Sequence, residues 1–229
     1  MKRLYDRTAD SYDLWYTTSK GRIVDRIERE NLYAYLKPQK GLKLLDVGCG
    51  TGQYSLDLAR KGLDVVGVDI SQAMLGQARE KAKTSGLKVQ FIEADAEQLP
   101  FEGEIFDLVL SVTAFEFVSN LLAVLHESFR VLKSGGRLVV GMIGRNSSWW
   151  HYYVEKARRD PANVFNSARF YTLNELLSAM PGRQVQGKAA LFVPPDFDFE
   201  REKEALALEA SAVRTGRTDG GFICAMSVK

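Results

Sequence analysis

The chain has 229 residues, 45% hydrophobic and 26% charged, which is enough apolar material for one α/β domain with a substantial core. Its 31 basic and 29 acidic residues leave a formal charge of only +2, so there is no strong field to hold a polyanion, and nucleic acid is not an expected partner. The N-terminus MKRLYDRTADSYD has no apolar core of a signal peptide, and no apolar run reaches the ~18 residues of a membrane span. A cytoplasmic location without stable membrane insertion is the expectation, and two cysteines, Cys49 and Cys224, offer no disulfide framework.

In chain order, the first clear element lies over residues 22–37, where Ile23, Ile27, Leu32, Tyr35 and Leu36 recur at helical spacing among charges and the pattern stops before Pro38. It predicts an N-terminal helix outside the sheet. From Leu42 short apolar runs alternate with amphipathic stretches: strand 43–47, helix 52–60, strand 64–68, helix 71–84, strands 88–92 and 106–111, helix 119–132 and strand 136–142. Such alternation specifies a mostly parallel sheet covered on both faces. Lys133-Ser134-Gly135-Gly136 is expected to close the preceding helix, with lysine against the dipole and glycine at the cap. Thr172 and Glu175 have capping-box spacing, and Met180-Pro181-Gly182 stops the helix they open. Strands near 184–193 and 221–228, with a helix over 200–213 between them, complete the chain.

The stretch Leu44-Leu45-Asp46-Val47-Gly48-Cys49-Gly50-Thr51-Gly52 runs an apolar strand through a carboxylate into three alternating glycines. Glycine is required where the backbone turns with positive φ or comes too close to a ligand for a Cβ, so this reads as a nucleotide-binding turn. The dinucleotide fingerprint needs G-x-G-x-x-G, whereas here Gln53 stands where the last glycine should be. Asp46 would repel a pyrophosphate and attract a cation.

These residues resemble the class I S-adenosylmethionine-dependent methyltransferases, whose first motif is an acidic residue followed by G-x-G-x-G. Val65-Val66-Gly67-Val68-Asp69-Ile70-Ser71, Phe91-Ile92-Glu93-Ala94-Asp95-Ala96, Phe106-Asp107-Leu108-Val109-Leu110-Ser111 and Val131 to Val140 resemble the family's next motifs, in order, over roughly residues 40–145. Tyr5 to Asp13 resembles the leading segment of the small-molecule members, including the quinone-biosynthesis, type 11 group. The resemblance implies a Rossmann-like, doubly wound, seven-stranded α/β sheet, mostly parallel with one antiparallel strand. It also implies one domain in four parts: an N-terminal helical cap (1–40), a cofactor-binding core (41–145), an aromatic-rich acceptor-side insertion after strand five (146–182), and C-terminal strands and helix (183–229).

For the cofactor, S-adenosylmethionine, the resemblance implies that Asp46 meets the methionine ammonium and that the backbone of Gly48, Cys49, Gly50 and Gly52 lies against the ligand. It also implies that Asp95 accepts from the adenine amino group beside the Ala96 amide, that Tyr12 folds over the cofactor, and that Ser111 belongs to the same set. Asp69 ends the second strand at about the distance from the glycine loop at which an acidic residue meets ribose hydroxyls. Ile70 and Met74 would sandwich the adenine, although core packing accounts for Met74 equally well.

Methyl transfer from a sulfonium needs alignment and exclusion of water more than a nucleophilic side chain, so catalytic residues leave little signature. Of the two histidines, His126 falls in a surface helix. His151, in Ser148-Trp149-Trp150-His151-Tyr152-Tyr153, is a candidate general base or acceptor contact, with a place on the outside of a lid helix as the alternative. Trp149, Trp150 and Tyr152, together with Tyr5 and Phe115, are candidates for an aromatic acceptor pocket, and ordinary packing is the rival explanation. Phe115-Glu116-Phe117-Val118 lacks the Asn/Asp-Pro-Pro-Tyr signature of amino-methylating enzymes acting on nucleobases or glutamine. No metal cluster is expected: the histidines are far apart, and Asp107 lacks acidic companions. The expectation is methyl transfer to an O, N or C atom of a small, aromatic or hydrophobic metabolite, with a homodimer left open. A nicotinamide-dependent oxidoreductase and a noncatalytic S-adenosylmethionine-binding module are the alternatives.

Overall fold

The computed structural model describes residues 9–229. Two short turns of helix, α1 (Ala9–Tyr12) and α2 (Leu14–Thr17), lead into the long α3 (Ser19–Leu36). Thr18 caps α3 by accepting from the Gly21 amide, and the helix ends at Lys37, left-handed ahead of Pro38. The sheet follows with β1 (Lys43–Val47), α4 (Gln53–Arg60), β2 (Asp64–Asp69), α5 (Gln72–Thr84), β3 (Gln90–Glu93), β4 (Phe106–Val112), α6 (Leu121–Arg130) and β5 (Leu132–Ile143). The chain then forms α7 (Ser148–Arg159), α8 (Leu173–Ala179), β6 (Arg183–Ala190), α9 (Glu202–Arg214) and β7 (Phe222–Val228).

The seven strands lie in the order β3-β2-β1-β4-β5-β7-β6, parallel except for β7, which runs antiparallel between β5 and β6. β1 pairs with β2 on one side and β4 on the other, so the strand order reverses at its carboxyl end. That is where doubly wound sheets bind ligands. Alternation along each strand divides the core between the two faces. Leu44, Leu108 and Leu110 pack with α3 and α4 residues such as Ile27 and Leu58, whereas Leu45, Val47 and Val109 pack with Val124 and Leu125 of α6.

Most expected boundaries shift by a few residues, and the largest shift is at the start of β5. α6 stops at Arg130, and Lys133-Ser134-Gly135-Gly136 lies inside β5 rather than capping a helix. Two things account for this. Lys133 Nζ donates to Asp107 Oδ1 at 2.8 Å, and the Gly135 amide donates to the carbonyl of Lys229, so the end of the chain supplies strand partners. Asp107 thereby sits at the start of β4, at the opposite sheet edge from the carboxyl ends.

The aromatic segment after β5 folds on itself. Ser147 caps α7 by accepting from the Trp150 amide, and Trp149, wholly buried, donates its indole N–H to Val193 O at 2.7 Å. Tyr153 stacks at 4.4 Å on Phe165, and Phe165 leans on Phe117 at 5.9 Å.

Candidate functional site

A cleft open to solvent lies over the carboxyl ends of β1, β2 and β4. The glycine loop forms its floor. Gly48, Gly50 and Gly52 all have positive φ, and a Cβ on Gly48 would meet Ala114 Cβ at 2.3 Å, so the loop is pressed against the turn that follows β4. A Cβ on Gly50 would meet nothing within 4 Å, which leaves that stretch of backbone bare toward a ligand. Gly52 does not line the cleft. It opens α4, and a Cβ there would press on Phe91 and Ala78 at 3.1–3.2 Å, so helix packing explains its glycine.

Asp46 lines the cleft although it is only 3% exposed, and its Oδ2 accepts from Ser55 Oγ at 2.6 Å. Burial raises its carboxyl to about 6, against the lowering effect of the Ser55 bond and with added repulsion from Asp69. A carboxyl in that state gains from a nearby cation. Asp69 stands at the rim of β2, where its Oδ2 accepts from the Gly50 amide at 2.8 Å and its Oδ1 from the Ser71 amide at 2.9 Å. It therefore fixes the loop as well as facing the cavity. Ser71 caps α5, as the Met74 amide donates to it.

Ile70, Met74, Asp95 and Ala96 line the other end of the cleft. Asp95 is exposed and holds its own turn by accepting from the Glu97 amide, while Glu97 accepts from Ser119 and Asn120 ahead of α6. Cys49 also lines the cavity, with a thiol that burial raises far above its ordinary range. Thr113, a β-branched residue at φ 47°, lines it too, and strained backbone of this kind tends to mark sites where surroundings over-determine a conformation.

The N-terminal segment roofs the cleft. Tyr12 and Tyr16 line it, and Asp13, between them, accepts from Thr51 Oγ1 at 2.7 Å, Gln53 Nε2 at 2.9 Å and Lys81 Nζ at 2.7 Å. Burial alone would raise the Asp13 carboxyl, but these donors outweigh it and hold it below the ordinary range. Burial also raises the Tyr12 hydroxyl to about 12. On the far wall stand Phe115 and Phe117, and Tyr54 of α4 completes the chamber.

Several expected site residues are placed elsewhere. Ser111 is wholly buried and donates to Val47 O at 2.8 Å, tying β4 to β1 outside the cleft. Trp149 is a core residue, and neither Trp150 nor Tyr152 reaches the cavity. His151 lies exposed on α7 against the Trp150 ring, also away from it, so the alternative reading of a histidine outside a helix is the one the structure favours. Packing behind Phe117 is what the aromatic insertion contributes. Tyr5 lies outside the described residues. Asp13 lies in the leading segment that the sequence reading set over the cofactor, although only Tyr12 was singled out there, whereas Tyr16, Tyr54 and Phe117 were not anticipated, because the contacts that bring them to the cleft join distant parts of the chain.

Residues 45–140 match a family model described as a methyltransferase domain. That match spans a little under half of the chain, and the S-adenosylmethionine-dependent methyltransferases are the proteins this chain is similar to. An uncharacterised protein of Methanocaldococcus jannaschii is 29% identical over 99% of this chain and 98% of its own length. A ubiquinone biosynthesis O-methyltransferase of Ruegeria pomeroyi is 35% identical over 63% of the chain, which spans about three-fifths (60%) of that relative. Among solved structures, a methyltransferase of Thermotoga maritima described as a possible histamine N-methyltransferase superposes with a TM-score of 0.78 at 24% identity, covering 100% of this chain and 99% of that one.

The cofactor of the family is S-adenosylmethionine, and the residues present fit it. The bare Gly50 backbone, a buried carboxyl in want of a cation at Asp46, and the apolar pair Ile70 and Met74 beside Asp95 offer a place for each part of such a molecule. Among the described residues, no helix is long and apolar enough to cross a membrane.

Proposed function

We propose that this protein transfers a methyl group from S-adenosylmethionine to an O, N or C atom of a small metabolite seated between Phe115 and Phe117 on one side and Tyr16 and Tyr54 on the other. The observation that carries the reading is the continuity of one cleft from the glycine loop and Asp46 to this aromatic chamber. The cofactor supplies an activated methyl on a leaving group that needs no further help. What the chain must add is alignment and dryness. Asp46 and Asp69 orient the methionine and ribose ends, and Tyr12, held down through Asp13, shuts out water from above. Among the described residues, none lining the cleft is lysine, arginine or histidine, which favours neutral or cationic acceptors over phosphorylated ones. The ubiquinone-pathway relatives, whose name assigns them an O-methylation, support an acceptor of aromatic character.

Calorimetric titration tests the cofactor half. Adenosylhomocysteine should bind and NADH should not, since Gln53 and Asp46 oppose a pyrophosphate. Asp69→Ala should weaken binding by roughly tenfold or more, because hydrogen bonds to a charged acceptor contribute about 1.5–3 kcal/mol each. For the transfer half, label from methyl-tritiated S-adenosylmethionine should enter the low-mass fraction of a metabolite extract. Label found only in RNA or protein would refute the small-molecule assignment.

A further inference from the structure

Two carboxyls stand behind the aromatic chamber, and the cofactor has no use for them. Glu116 is the middle residue of the turn Phe115–Phe117, between two phenylalanines that line the cleft. It is 0% exposed. Its Oε1 accepts from the Ile143 amide at 2.6 Å, while its buried Oε2 has no hydrogen-bond partner. Glu28, on α3, is only partly buried, and its Oε2 receives a long bond, 3.4 Å, from the hydroxyl of Tyr54, which lines the same cleft. Each carboxyl lies within electrostatic range of the other and of Tyr153, and Glu28 also acts on Tyr12 and Tyr16.

Among the described residues, neither glutamate has an ion-pair partner. Arg29, next to Glu28 along α3, pairs with Asp25 and Asp57 and lies over the Tyr54 ring at 4.4 Å, so its charge eases Glu28 from a distance without bonding to it. An unpaired carboxyl in such surroundings is costly, and two that repel each other are more so, unless a cation comes between them. A neutral hydroxyl could satisfy the free oxygen of Glu116 but would do nothing about the repulsion. An ammonium group would answer both, and the aromatic rings of Tyr16 and Phe117, which line the cleft, are surfaces of the kind that attract one.

We propose that the acceptor is an amine that enters the chamber as an ammonium ion and is held there between Glu28 and Glu116 within the wall of tyrosines. The proposal rests on the methyl-transfer reading above. In the reaction the ammonium first gives one proton to a glutamate carboxylate. The freed nitrogen lone pair then forms the N–C bond as the S–C bond breaks, the bonding electrons stay on sulfur, and the proton leaves to solvent when the product departs. Burial raises Glu116 to about 7 and Glu28, with further repulsion from Asp25, to about 8, a range suited to taking and returning a proton near neutrality.

The test uses the whole protein saturated with adenosylhomocysteine and three probes of similar shape: 2-phenylethylamine, 2-phenylethanol and 3-phenylpropionate. Calorimetry should show the cationic amine binding at least tenfold more tightly than the alcohol, with the carboxylate weakest. Glu116→Gln, which keeps the bond from Ile143, and separately Glu28→Gln should each cut that preference to threefold or less while leaving adenosylhomocysteine affinity within about twofold. The alcohol or the carboxylate binding as tightly as the amine, none of the three binding, or the amine preference surviving both substitutions would overturn the proposal. Failure of adenosylhomocysteine itself to bind would instead refute the methyl-transfer reading beneath it.

Discussion

Asp13 and Lys81 meet at 2.7 Å across the mouth of the cofactor cleft, joining the N-terminal cap to α5 over 68 positions of sequence. The same carboxylate takes hydrogen bonds from Thr51 and Gln53 of the glycine loop, so one side chain fastens the roof to both the floor and the wall of the cleft. Asp13→Asn should loosen this roof. We expect adenosylhomocysteine affinity to fall about fivefold, which is about 1 kcal/mol, and amide exchange over residues 12–17 to accelerate. Lys81→Met should do less, since a half-exposed ion pair is worth little on its own and Thr51 and Gln53 would remain. Equal losses in the two variants would contradict this division.

Asp46 predicts a pH dependence. Its folded carboxyl titrates near 6 against an ordinary 3.8, so between those values the folded protein holds a proton that the unfolded chain has released. The contribution of this group to the stability of the ligand-free protein therefore declines as pH rises through that window. Binding of an ammonium-bearing ligand runs the other way, because it requires the carboxylate. Adenosylhomocysteine affinity should rise about tenfold between about pH 5 and 7, and Asp46→Asn should bind weakly and flatten the profile. Calorimetry at the two pH values is sufficient.

Ser111 lies outside the cleft, and its removal should be felt in stability alone. Ser111→Ala leaves the Val47 carbonyl without its buried donor, at a cost of about 1 kcal/mol, and should lower the Tm by about 2–4 °C with cofactor affinity unchanged. A substantial loss of affinity at normal Tm would place Ser111 in the binding machinery after all.

Trp149 and His151, two positions apart on α7, should behave oppositely. Trp149→Ala empties a wholly buried site and strands the Val193 carbonyl, a loss of about 3–5 kcal/mol that thermal denaturation will register as a large drop in Tm. His151→Ala alters only an exposed ring and should keep turnover within about twofold of the parent. A profound loss of turnover in a stably folded His151→Ala protein would return it to the mechanism.

The part of the cleft at the strand ends was legible in the sequence as a place in the fold, because its residues lie next to strand ends that periodicity marks. Asp46, Asp69 and Asp95 each follow an apolar run, and the topology carries all three to one edge. Gly52 and Ser111 misled because a motif records which residues recur together without separating those that touch a ligand from those that make room for a helix or join two strands. The acceptor half was illegible for a different reason. Its walls come from α1, α2, α4 and the turn after β4, and no local pattern announces that Tyr16 and Phe117 line one cavity. The tryptophan-rich segment, conspicuous in the sequence, went instead to packing, as large aromatic side chains usually do when a core is within reach. At Lys133 a helix cap and a strand register competed, and the pairing offered by the end of the chain won.

Gln53 occupies the position that a dinucleotide-binding loop gives to glycine, and its amide reaches back to Asp13. Any attempt to re-engineer this loop for a pyrophosphate coenzyme by restoring that glycine would also remove one of the three donors that hold Asp13, leaving Thr51 and Lys81. The glycine loop and the N-terminal segment thus share an anchor at one amide group, and redesign of the loop must supply a replacement for it.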